Sequence, residues 1–175
     1  HFVYIAAFGI FTGVSYETDQ HLKNVLGHLA YLLEGSKRIW NVPTYWIKVD
    51  ANGRTFEGEY IYGMVTNARS VGGFKNLPGR DVHLDDGLFE VTLIKRPKNP
   101  IELNEVIASL LTAEDKTSLI DSFKTDRILI ESNQEIPWTL DGEYGGEHSF
   151  VRIEAQKHAM ELVLNPETSL QALKG

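Results

Sequence analysis

The chain has 175 residues, 42% of them hydrophobic and 23% charged, which suits one compact domain large enough to bury a sizeable core. Its formal charge of −7 repels nucleic-acid phosphates and anionic lipid surfaces, so nucleic acid is not an expected partner and any lipid contact must rest on a local feature. The absence of cysteine excludes disulfides, thiolate metal sites and a Cys nucleophile; with no Asn-x-Ser/Thr acceptor, it favours a reducing compartment, taken as the cytoplasm.

The chain opens on His1 and runs straight into the apolar stretch "FVYIAAFGIF". That stretch is too short for a bilayer span and lacks the flanks of a signal peptide, so it reads as a buried strand. The missing methionine and lead-in suggest a fragment or processed product. Leu22, Val25, Leu26, Leu29, Leu32, Leu33 and Ile39 then recur at helical spacing, and Asn41-Val42-Pro43 ends that helix. The period changes to that of strands in "TYWIKVD", "RTFEGEY" and "YIYGMVTNA". The segment "RSVGGFKNLPGRDVHLDDG" reads as a long glycine-rich loop, of the kind that carries function or is disordered.

"LFEVTLIK" is a further strand, "RPKNP" a break and "IELNEVIASLLTA" a second amphipathic helix. "RILIES", "IPWTL", "SFVRIEA" and "HAMELVL" complete the strands. Successive strands without intervening helices give antiparallel pairing. The expected fold is therefore a β-rich α+β domain, a β-sandwich or distorted barrel with two flanking helices. Residues 1–165 form the domain and 166–175 a tail.

Three segments carry candidate chemistry. In "TLDGEYGGEHSF", Asp141-Gly142-Glu143 is a hairpin signal, because Asp and Gly tolerate positive φ. The polar stretch "DGEYGGEHS" is nevertheless longer than a plain hairpin loop, which leaves room for a ligand-facing role of Glu143. In "VHLDDGLFE", two adjacent carboxylates before a glycine suit a hard cation, or simply a turn. In "VGGFKNLPGR", the N–H groups of Gly72 and Gly73 beside Lys75 form either a weak anion cradle or a flexible loop. His21, His28, His83, His148 and His158 lack metal-ligand spacing, and no G-x-S-x-G elbow or P-loop occurs.

Taken in order, "FVYIAAFGIFT", "LGHLAYLLEGSKRIW", "MVTNARSVGGFKNLP", "VHLDDGLFEVTLIK" and "IPWTLDGEYGGEHSFVRIEAQKHAMELVLNP" resemble the C-terminal domain of the bacterial diacylglycerol kinase family, soluble lipid kinases in the NAD kinase-like superfamily. The resemblance implies a β-sandwich that partners an N-terminal nucleotide-binding domain of the same polypeptide. The Gly-Gly-Asp-Gly-Thr motif of that domain is absent here, so this chain alone is expected to bind ATP poorly and to be inactive.

The same resemblance makes Glu143 the catalytic carboxylate, with Asp141 and Gly142 shaping the turn that presents it. It assigns a Mg²⁺ site to the Asp86 side chain and the backbone carbonyls of His83 and Leu88, although His83 stands where relatives are often apolar. Gly72, Gly73 and Lys75 become a substrate-side loop. The implied cofactors are ATP and Mg²⁺, and the implied partner is a lipid at a membrane surface, with peripheral contact at the inner face and a homodimer left open. A non-catalytic module that binds an apolar ligand, or a kinase for a sphingoid base or prenol, remains an alternative.

Overall fold

In the computed structural model, which describes residues 1–10, 12, 42–71, 81–112 and 117–160, the first strand is β1, Ile5–Gly9. The strands β2 (Tyr45–Ala51), β3 (Arg54–Thr66) and β4 (Phe89–Lys95) follow, then helix α1 (Pro100–Thr112), then β5 (Ile120–Thr125), β6 (Arg127–Leu140) and β7 (Glu143–Glu154). All pairings are antiparallel. The long strands β3 and β6 are both paired with β1 and both with β2, so β1, β6, β2 and β3 close on themselves as a barrel. β4 and β5 extend the sheet beyond β3, and β7 extends it beyond β6. The fold is thus the expected β-rich α+β class.

Two apolar clusters lie on opposite faces of β1. Ala6 and Phe8 point into the cluster of Ile47, Val49, Val65, Leu93 and Trp138, whereas Ile5 and Ala7 join Tyr62, Met64, Ile94, Val106 and Leu110 under α1. A strand buried on both faces reads as a continuous apolar run, which is why its sequence shows no alternation. α1 starts on an Asn99 cap: the Glu102 N–H donates to Asn99 Oδ1 at 3.0 Å, and Asn99 Nδ2 donates back to Glu102 Oε1 at 3.0 Å. It buries Leu103, Val106 and Leu110.

Three sequence expectations are corrected. "RTFEGEY" and "YIYGMVTNA" are one strand, as are "RILIES" and "IPWTL". The breaks read from sequence are irregularities inside β3 and β6, where register shifts next to Tyr60 and on both sides of Ile136-Pro137 accommodate a bend and a proline without an N–H. The segment "LIDSFKT", which carried no expectation, contains β5. In "HAMELVL", residues 158–160 carry no strand and the rest lies outside the described residues, as does the expected helix over 22–40.

Candidate functional site

The Asp141-Gly142 turn is a tight hairpin. Leu140 pairs with Glu143, and φ is +51° at Asp141 and +93° at Gly142, the pattern of a type I′ turn. The polar stretch expected to be a longer loop is therefore strand from Glu143 onward. Gly145 and Gly146 lie within β7 beside its register shift, where a Cβ on Gly145 would come within 2.8 Å of Leu140 Cγ. They answer to chain packing rather than to ligand approach.

Asp141 does more than turn the chain. Its Oδ2 accepts the Val3 N–H at 2.7 Å, and its Oδ1 accepts the Tyr4 and Ile5 N–H groups, each at 2.8 Å. One carboxylate thus satisfies three consecutive backbone donors that lead into β1. Glu143, two residues on, is exposed, and among the described residues its carboxylate has no hydrogen-bond or ion-pair partner. It is an exposed carboxylate at the end of a turn that Asp141 holds in place.

The second candidate loop meets the same end of the barrel. The Tyr4 carbonyl accepts the Thr66 hydroxyl at 2.6 Å and the Asn67 N–H at 3.1 Å, and Asn67 Nδ2 donates to the Leu84 carbonyl at 3.1 Å. A continuous chain of hydrogen bonds therefore runs from Asp141 through Tyr4 and Asn67 to Leu84, which sits between His83 and Asp86. His83 is exposed and Asp86 half-buried.

Asp86 Oδ1 accepts the Leu88 N–H at 2.9 Å, and its Oδ2 lies 3.9 Å from Lys124 Nζ. The same ammonium is 3.5 Å from Glu90 Oε1 and donates to the Asp81 carbonyl. Glu90 is 1% exposed and neither of its oxygens accepts a hydrogen bond among the described residues. Burial pushes the Glu90 carboxyl above its ordinary value; Lys124 opposes the rise and Asp86 adds to it.

The oxygens gathered here are of the type a hard cation takes, although no three His, Cys, Asp or Glu side chains come together among the described residues. The Asp81 carbonyl and the Asp86 and Glu90 carboxylates face one positive centre, the Lys124 ammonium, and Glu90 is a buried carboxylate that is ion-paired to it but accepts no hydrogen bond among the described residues. Asp86 and the carbonyls of His83 and Leu88 are the ligand set that the family resemblance implies. Glu90 and Lys124, which the sequence reading did not single out, stand beside Asp86; a glutamate inside the apolar run "LFEVTLIK" is a readable signal, since a buried Glu is rare without a partner. Gly72, Gly73 and Lys75 lie outside the described residues. None of the helices among the described residues is long and apolar enough to cross a membrane.

Known proteins resemble this chain over most of its length. It is 33% identical over 147 residues to a diacylglycerol kinase of Bacillus subtilis (strain 168), covering 83% of this chain and 48% of that relative. It is 30% identical over 148 residues to a diacylglycerol kinase of Staphylococcus carnosus (strain TM300), again 48% of the relative and 84% of this chain. The chain thus spans about half the length of the curated relatives it matches. A crystal structure of a diacylglycerol kinase from Bacillus anthracis str. Sterne superposes with a TM-score of 0.59 at 20% identity, over 95% of this chain and 51% of that one, a likeness of fold. No family model matches the chain.

Proposed function

Because this chain belongs to the bacterial diacylglycerol kinase family, we propose that it is the C-terminal, lipid-side half of an ATP- and Mg²⁺-dependent kinase that phosphorylates the hydroxyl of diacylglycerol or a related lipid. The observation that carries the reading is the exposed Glu143 carboxylate, without a partner among the described residues and held at the start of β7 by a turn whose Asp141 is pinned to the entry of β1.

Phosphoryl transfer asks a protein mainly for positioning and charge. Glu143 takes the proton of the lipid hydroxyl as its oxygen attacks the γ-phosphorus and ADP leaves. Asp141 and Gly142 keep that carboxylate in one place, because a type I′ turn bonded to three backbone N–H groups has little freedom to swing. Asp86 and the carbonyls of His83 and Leu88 would hold a Mg²⁺ ion, which would supply positive charge at this end of the barrel. Gly72, Gly73 and Lys75 line the substrate side, and ATP is held mainly by an N-terminal nucleotide-binding domain of the same polypeptide. The enzyme works in the cytoplasm and touches the inner membrane face to reach its lipid.

The test is transfer of labelled phosphate from Mg-ATP to diacylglycerol in mixed micelles, by the longer polypeptide that carries these residues and by the 175-residue chain alone. Transfer by the longer polypeptide only is the expected result. Transfer to a sphingoid base or prenol in place of diacylglycerol would redirect the substrate assignment, and no transfer to any lipid by folded protein would leave an apolar-ligand module.

A further inference from the structure

We propose that Glu90 is a second carboxylate of the cation site headed by Asp86, and that the Lys124 ammonium competes with a bound divalent cation for the pair. The proposal rests on the reading of Asp86 as a cation ligand and adds two residues to it.

Glu90 stands in register with Thr66 on β3 and with Lys124 on β5, so the three side chains project from one face of the sheet. Thr66 is occupied by the Tyr4 carbonyl at 2.6 Å. Lys124 is then the cation facing Glu90, at 3.5 Å from Oε1, and it also faces Asp86 Oδ2 at 3.9 Å. Both carboxylates lie within reach of one point in space.

A buried glutamate whose oxygens accept no hydrogen bond among the described residues is expensive to leave ionised, and one ammonium at 3.5 Å is a poor match for two such oxygens. Hard divalent cations take several oxygens at about 2.0 to 2.6 Å, and the Asp81 carbonyl, Asp86 and Glu90 supply them from one loop and the strand that follows it.

The charge arithmetic agrees. Asp86 and Glu90 bring two negative charges and Lys124 one positive, so the cluster carries a net single negative charge that Mg²⁺ or Ca²⁺ would over-neutralise with Lys124 in place. A cation that exchanges with the ammonium brings the pair to neutrality. Lys124 has a flexible stem and is 30% exposed, so it can withdraw to water when the ion arrives.

Mg²⁺ and Ca²⁺ binding to the 175-residue chain, followed by titration calorimetry and by the shift in melting temperature, tests this in four variants. Glu90→Gln should weaken binding by about tenfold or more, and Lys124→Met should tighten it by a similar factor, since ligand charge sets affinity at such sites. Glu57→Gln, which alters an exposed carboxylate on β3 outside the cluster, should bind like the wild type. If Asp86→Asn abolishes binding while Glu90→Gln and Lys124→Met leave it unchanged, the proposal falls and the Asp86 assignment stands. If the wild type binds neither ion, both fall. Should Glu90→Gln fail to fold, Lys124→Met decides: unchanged affinity there overturns the proposal.

Discussion

Asp141 and Ile5 hold each other from both sides: the Ile5 N–H donates to Asp141 Oδ1 at 2.8 Å, and the Asp141 N–H donates to the Ile5 carbonyl at 2.8 Å. With the Val3 and Tyr4 N–H groups on the same carboxylate, the β6–β7 turn and the entry to β1 form one unit. Asp141→Ala should therefore cost about 1 to 3 kcal/mol in urea unfolding, the range for donors that lose a charged acceptor, held down here by solvent exposure. Asp141→Asn should cost less, because its single oxygen can keep the Tyr4 and Ile5 bonds while its amide meets the Val3 donor. Hydrogen exchange at residues 3–5 should accelerate in both. Unaltered exchange in Asp141→Ala would show that the clamp does not hold this segment.

A second prediction concerns the barrel interior. Gly63 is paired with Phe8, and a Cβ at Gly63 would lie 2.1 Å from the Phe8 ring, which itself packs edge-on against Trp138 at 5.0 Å. Gly63→Ala should destabilise the chain by about 1 to 3 kcal/mol through overpacking. Adding Phe8→Leu should cost less in the Gly63→Ala background than in the wild type, because there the shorter side chain also relieves the clash. Strict additivity would mean the ring and Cβ do not compete.

Alkaline stability should report on Tyr60. Its side chain is buried and its hydroxyl donates to Asp121 at 3.0 Å, so burial first, then the Asp121 charge and hydrogen bond, raise the phenol above its ordinary value of 10.0. The folded value lies above the unfolded one. The stabilisation is thus fully present below the unfolded value and is lost as pH rises from there through the folded value. The unfolding free energy should fall above about pH 10, and Tyr60→Phe should fall less steeply while losing about 0.5 to 1.5 kcal/mol at neutral pH. Equal slopes in the two proteins would place the alkaline loss elsewhere.

The sequence carried the strand content and both acidic motifs, because apolar runs bounded by Asp-Gly, Asn-Gly and proline are local signals. It split β3 and β6, since a register shift at Tyr60 and a proline at 137 look like chain breaks until partner strands are known. Closure of the barrel was hidden for the same reason: it depends on β1 pairing with both β3 and β6, contacts far apart in the chain. The tight turn that places Glu143 at the start of β7 was legible from its Asp-Gly pair. What Asp141 does was not, because its acceptors' partners, residues 3–5, lie at the other end of the sequence. Glu90 was visible as a charge in an apolar strand, but its meeting with Lys124 needed the β4–β5 register.

The role proposed for Glu143 is that of the base that takes the proton of the lipid hydroxyl. The most direct measurement is the rate of phosphate transfer from Mg-ATP to diacylglycerol by the longer polypeptide carrying this chain, as wild type and as Glu143→Gln, with melting temperatures taken alongside. Glu143→Gln should lose about 10² to 10⁴-fold in turnover at an unchanged melting temperature, the usual contribution of a positioned general base. Wild-type turnover in Glu143→Gln would contradict it.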